Sequence, residues 1–279
     1  MGRIHVDRIH VGLSGWQYDS WRGDWYPKGL PARRQLEYVG EHFDTVELNG
    51  SFYSLQRPTS YQRWHDQTPD GFTFAVKGGR YITHMKRLVG VETALANFFA
   101  SGVLALGEKL GPLLWQLPER VTFDADVVRR FLDLLPSTTE GALDLAGQHD
   151  DKLRGRVYLE VAGSRPVRHA LEVRHRSFVD NAFFRLLEER EMACVVADSP
   201  GKWPELDVRT TDFSYARLHG HTELYASGYS ARSLDRWAER CRGWARQGEV
   251  YLYFDNDARG RAPYDAEGLV GRLAASRIP

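Results

Sequence analysis

Strand-like and helix-like segments alternate along almost the whole chain, and that alternation leaves few architectures open. Ile9–Leu13 reads as a first strand, followed by Leu36, Val39 and Phe43 at helical spacing. Thr45–Asn49 reads as a strand, with a short helix at Tyr61–Trp64 after Pro58. Phe72–Lys77 is rich in β formers and leads into a helix through Leu95, Phe98, Phe99 and Leu106. Leu113–Leu117 comes next, backed by a helix at Val127, Val128, Phe131, Leu132 and Leu135 with Asp124 as its cap. Ala170–Val173, Ala193–Ala197, Phe213–Leu218 and Val250–Phe254 supply four more strands. Helices are predicted through Phe183, Phe184, Leu186 and Leu187, and through Leu269, Val270 and Leu273. The clearest amphipathic stripe is Leu234, Trp237, Ala238, Cys241, Trp244 and Ala245, which share one helix face.

About eight strands, most followed by a helix, is the count a closed parallel barrel requires, so the fold class is α/β, a (β/α)8 TIM-barrel-like parallel barrel. An open doubly wound sheet fits less well, because no GxGxxG or GxxxxGK[ST] turn occurs. Between Ser137 and Arg168 the pattern lapses. Residues 137–168 are expected to form a surface excursion with a short strand at Val157–Val161, inside a single domain spanning 1–279.

Lys+Arg and Asp+Glu both number 37, which removes the long-range positive field that drives non-specific nucleic-acid binding. Cys194 and Cys241 have no metal-ligand spacing and fall on apolar stretches, so both are expected to be reduced core residues. Met1-Gly2-Arg3-Ile4-His5-Val6 contains no apolar leader, and no stretch approaches a membrane span. A cytoplasmic location and no membrane partner are expected.

A barrel places its site at the C-terminal ends of its strands, so the polar residues there are the candidates. Strand one ends Ser14-Gly15-Trp16, and in strand two Glu47 and Asn49 share a face. Strand three ends at Lys77, with His84 after Gly78-Gly79-Arg80; strand four ends at Gln116. Strand five puts Glu172 and Arg174 on one face, and strand six ends at Asp198. Strand seven offers Arg217 and His219, and strand eight ends Asp255-Asn256-Asp257. Charges on such strands must be paired or solvated in a cavity, so the set is expected to compensate itself around a pocket. Glu47, Glu172, Asp198 and His219 are the catalytic candidates. Trp16, Asn49, Tyr53, Lys77, His84, Gln116, Arg174, Arg217 and Asn256 are the ligand-binding candidates.

Each has a plainer reading. Glu47 and Glu172 form a general acid/base pair or two structural ion pairs. His84, His175 and His219 with Asp198 or Glu172 would suit a divalent metal, the one cofactor considered, although no tight ligand spacing is present. Lys77-Gly78-Gly79-Arg80 is an anion cradle or a simple turn. The aromatic cluster Trp16, Tyr18, Trp21, Trp25, Tyr26, Phe52 and Tyr53 stacks on a sugar or base, or plugs the barrel mouth.

Gly12-Leu13-Ser14-Gly15-Trp16, Tyr26-Pro27, Glu47-Leu48-Asn49 with Phe52-Tyr53, Phe74-Ala75-Val76-Lys77 with Ile82-Thr83-His84, Glu172-Val173-Arg174-His175, Arg217-Leu218-His219-Gly220 and Tyr253-Phe254-Asp255-Asn256-Asp257 together resemble the YecE-like family, domain of unknown function 72. The resemblance implies a TIM barrel and candidate residues but no reaction. Three functions remain open. The first is an enzyme, a hydrolase or isomerase, acting on a phosphorylated, sugar-containing or nucleotide-like small molecule. The second is a non-catalytic binder of a nucleotide or nucleic-acid fragment. The third, by fold analogy with endonuclease IV, is a metal-dependent phosphodiesterase.

Overall fold

The computed structural model describes residues 8–275. Residues 1–6, where the absence of a leader was read, and the last four residues of the expected single domain lie outside that span. The eight strands are β1 (Ile9–Ser14), β2 (Thr45–Leu48), β3 (Thr73–Lys77), β4 (Leu110–Gln116), β5 (His169–Glu172), β6 (Ala193–Asp198), β7 (Phe213–Leu218) and β8 (Glu249–Phe254). They follow one another in chain order as a closed parallel barrel, as the alternation predicts. No helix of the described residues is long and apolar enough to cross a membrane. The described residues form two compact units. One comprises the chain through Glu47, Pro69–Phe72 and everything from Ala193; the other comprises Leu48–Thr68 and Thr73–Met192.

In the first unit β1 pairs with β2 and β8, and β7 pairs with β6 and β8. β8 is apolar from Val250 to Phe254 and buried throughout that run, as a strand covered on both faces must be. Gly12 sits opposite Thr45, where a Cβ would collide with the Thr45 carbonyl oxygen, so only glycine allows the two strands this approach. The helix α8 (Ala231–Ala245) buries Leu234, Trp237, Ala238 and Cys241, the predicted stripe, and Ser230 caps it by accepting from the Ser233 N–H. Both cysteines are free and buried, and burial pushes each thiol up to about 12.

In the second unit β4 pairs with β3 and β5, with a register shift between Phe74 and Val76. Asp124 caps α5 (Ala125–Asp133), its carboxylate accepting from the N–H groups of Asp126 and Val127 at 3.0 Å each. Two expectations change. The helix after β3, α4 (Glu92–Ala100), does not reach Leu106. Gly102 turns the chain at φ +116, and Val103–Lys109 continues as two short 3₁₀ turns broken at Gly107. The segment 137–168 contains no strand at Val157–Val161. It holds the helix α6 (Thr139–Ala146), capped by Thr138 and burying Ala142 and Ala146 one turn apart, with Leu153 also buried. Its packed face is mostly alanine, which leaves almost no hydrophobic periodicity to read. Val157–Val161 alternates like a strand yet finds no partner strand; Tyr158 donates a single backbone bond to the Ala100 carbonyl.

Candidate functional site

The side-chain period of two brings Tyr215, Arg217 and, just beyond the strand, His219 to one face of β7. Arg217 is 1% exposed and Glu47, on β2, is fully buried. The guanidinium grips the carboxylate with two bonds, Nε to Oε2 at 2.9 Å and Nη2 to Oε1 at 2.8 Å. The Ser14 hydroxyl donates to Oε1 at 2.5 Å and the Tyr215 hydroxyl to Oε2 at 2.7 Å. Each Glu47 oxygen therefore accepts two donors, one from a cation. Arg217 Nη2 also donates to Asp255 Oδ2 at 2.9 Å, and His219 Nδ1 lies 3.0 Å from that same oxygen. Asp255, with its side chain 19% exposed, is the open member of this otherwise closed network. The His219 ring is packed edge-on by Trp203 and Tyr225.

Two further groups adjoin the network. The Tyr18 hydroxyl donates to the Ser14 carbonyl at 2.5 Å, and burial, then the charges of Asp255 and Asp257, push its ionisation far above the usual phenol range. Asp257 accepts from the Trp21 indole through Oδ1, while its buried Oδ2 has no hydrogen-bond partner among the described residues. Burial, reinforced by the Asp255 charge and opposed by Trp21, raises the Asp257 carboxyl to about 7.

Three predicted residues of this unit stand apart. The Asp198 carboxylate turns toward α8, accepting from the Trp237 indole at 3.2 Å, and lines a separate cavity of about 440 Å³ with His221, Ser233 and Arg236. Burial raises its carboxyl above the ordinary range. Asn256 is a brace, donating to the Ser227 carbonyl at 3.0 Å and Asp265 at 2.7 Å. Trp16 is buried, its carbonyl accepting from the Tyr26 hydroxyl at 2.6 Å, and Trp21, Trp25 and Tyr26 pack on one another.

In the second unit the strand ends are cationic. Lys77 Nζ lies 4.5 Å over the Phe52 ring, and the Ser51 hydroxyl donates to the Lys77 carbonyl. Glu172, fully buried on β5, accepts from Arg174 Nε at 2.8 Å, which confirms the shared face read from the strand period. His84 sits in a single π-helical turn, Tyr81–Met85, with its Nδ1 2.9 Å from the Thr83 hydroxyl oxygen. Burial, then the charges of Lys77, Arg174 and Arg80, lower His84 to about 4 against the opposing pull of Glu172, so the imidazole is neutral at pH 7. Gln116 donates to the adjoining Leu117 carbonyl, Asn49 precedes the short helix α2 (Gly50–Tyr53), and Tyr53 is 70% exposed.

Sequence reasoning brought out Glu47, Arg217 and His219, and separately Lys77, His84, Glu172 and Arg174, each set meeting as one cluster. It missed the roles of Ser14, Tyr18, Tyr215, Asp255 and Asp257. The alternation along Tyr215, Arg217 and His219 was a signal for Tyr215, and strand-end position one for Ser14, Asp255 and Asp257; nothing local marks Tyr18. Among the described residues no group of three or more His, Cys, Asp or Glu side chains is arranged to hold a metal ion, so the donor set imagined from His84, His175, His219, Asp198 and Glu172 does not assemble.

The model of the family described as "Protein of unknown function DUF72" matches residues 10–278. The chain is 35% identical over 116 residues to the UPF0759 protein YunF of Bacillus subtilis, a match covering 39% of this chain and 40% of that protein. It is 30% identical over 131 residues to the UPF0759 protein YecE of Escherichia coli K12, covering 46% and 44%. The chain thus spans less than half the length of the curated relatives it matches. Among solved structures it resembles a DUF72 family protein of Thermotoga maritima at a TM-score of 0.76 and 26% identity, over 96% of this chain and 99% of that one. It also resembles a DUF72 family protein of Enterococcus faecalis at a TM-score of 0.73 and 17% identity, over 95% of each. The motif set, the barrel and the family match agree: this chain belongs to the DUF72 family.

Proposed function

We propose that this protein is an enzyme acting on a small phosphorylated, sugar-containing or nucleotide-like ligand at the C-terminal ends of its barrel strands. The observation that carries the reading is the network around Arg217. A fully buried guanidinium bridges Glu47 and Asp255, and Asp255 alone keeps an open face while touching an imidazole. Burying such charges is costly, and cores rarely keep them without a use for them. Asp255 is the group placed to take or give a proton, His219 and Arg217 orient it, and Glu47 fixes Arg217. The cationic ends of β3 and β5, with Lys77 and Arg174, favour an anionic ligand there, and Glu172 is the second candidate acid/base.

Purified protein incubated with a pooled extract of small metabolites, followed by mass spectrometry, tests this directly. At least one phosphate- or sugar-bearing compound should be consumed by the wild type and spared by Asp255→Asn or Glu172→Gln of unchanged melting temperature. Equal consumption by wild type and both variants would refute the assignment of these carboxylates. No consumption of any compound would refute the enzyme reading.

A further inference from the structure

The second unit holds a cavity of about 430 Å³ whose wall is mostly basic: His84, Arg87, Arg120 and Arg174, with Pro118 and Glu119. The volume is that of a small-ligand site. Three arginines line the wall against one carboxylate, Glu119, and the imidazole of His84 is neutral. Arg174 is not a loose surface cation, because Glu172 holds its Nε from a fully buried position. Arg87 makes no ion pair among the described residues. It follows the π turn and adopts φ +49, with Leu88 after it at φ +72. Two successive non-glycine residues in the left-handed region are rare, and a π turn beside them is a feature found most often at functional sites. That backbone sets Arg87 on the cavity while its neighbours Tyr81 and Lys86 face a different depression.

We propose that this cavity is the seat of a phosphate dianion, clamped by Arg87, Arg120 and Arg174, with His84 in contact with it. The ligand class is a phosphomonoester group or free inorganic phosphate, the oxyanions that arginine forks bind best. The assignment rests on the anionic-ligand reading above and adds Arg87 and Arg120 to it. Binding has a second consequence. His84 is held neutral by burial and by Lys77, Arg174 and Arg80, with Glu172 opposing and Arg87, Glu119 and Arg120 around the same cavity. A dianion among those cations cancels much of their repulsion toward a proton, so His84 protonates more readily when the seat is filled. Affinity for a dianion therefore rises as pH falls toward 5, and binding takes up a fraction of a proton.

Titration calorimetry with sulfate, inorganic phosphate, ribose 5-phosphate and ribose tests the proposal. Sulfate stays a dianion across pH 5–8, so its proton uptake, read from two buffers of different ionisation enthalpy, belongs to the protein. Sulfate, phosphate and ribose 5-phosphate should bind and ribose should not. Arg87→Ala and Arg120→Ala, both at exposed positions, should each weaken binding roughly ten- to hundred-fold, the loss typical of a charged hydrogen bond. Proton uptake at pH 5 should vanish in His84→Gln. Equal affinities for inorganic phosphate and ribose 5-phosphate identify a free-anion seat, and a tenfold preference for the ester identifies the phosphate end of a substrate. Ribose binding as well as its phosphate, unaffected by either arginine variant, overturns the seat while leaving a sugar-directed enzyme standing. Failure of all three anions to bind overturns it too, whereas the broader reading fails only if the metabolite pool is left unconsumed.

Discussion

Arg217→Met removes the guanidinium but keeps a long apolar side chain in its place. Glu47 then stays fully buried with the Ser14 and Tyr215 hydroxyls as its remaining donors, having lost both charged bonds at 2.9 and 2.8 Å, and Asp255 loses its bond at 2.9 Å. Stranding one partner of a buried ion pair costs about 3–5 kcal/mol. At about 2 °C per kcal/mol for a chain of this size, the melting temperature should fall by roughly 6–10 °C. Scanning calorimetry at pH 7 measures it. The control is Arg259→Ala, which breaks an ion pair 3.1 Å long but largely exposed on both sides and should leave the melting temperature nearly unchanged. Adding Glu47→Gln to Arg217→Met should recover part of the loss, because the uncompensated charge disappears with it. A drop no larger than that of Arg259→Ala would show that Glu47 does not depend on Arg217.

Asp257 and His10 are both raised, so both lose stability as pH rises, but in different windows. The folded Asp257 carboxyl lies near 7, above the ordinary value of 3.8, so the folded state binds the extra proton and stability falls as pH rises between those values. Asp257→Asn should erase that loss, giving a wild-type-minus-variant stability difference that becomes more negative from pH 4 to 8; a flat difference refutes it. Burial alone would lower His10, but Asp44 at 3.2 Å and Glu249 at 3.5 Å overcome it and raise the imidazole to about 9. Its stabilisation is complete below the ordinary value of 6.5 and fades as pH rises through 9, so His10→Gln should destabilise most near pH 6 and least above pH 9 in thermal melts.

What could be read from the sequence was what depends on near neighbours. The stripe of α8, the Asp124 cap and the pairing of Glu172 with Arg174 are all set within a few residues by helical or strand periodicity, and each appears where expected. The number and order of strands follow from the same local signals repeated along the chain. Where the local signal was thin the reading failed, as at α6, whose alanines bury a face without advertising it.

Tertiary structure decided the rest. For Glu47 the sequence left an acid/base role and a structural ion pair open, and only the fold shows Ser14, Tyr215 and Arg217, from two other strands, donating to both its oxygens. The amide of Asn256 donates to Asp265, while Asp257 beside it carries the perturbed carboxyl. Arg87 and Arg120 gained meaning only when the π turn and the loop after β4 set them around one cavity. A side chain's type and its face on a strand are local properties, legible in order along the chain. Whether a carboxylate is satisfied, exposed or surrounded by cations depends on groups brought to it by strand register from up to 170 residues away, and no local pattern encodes that distance.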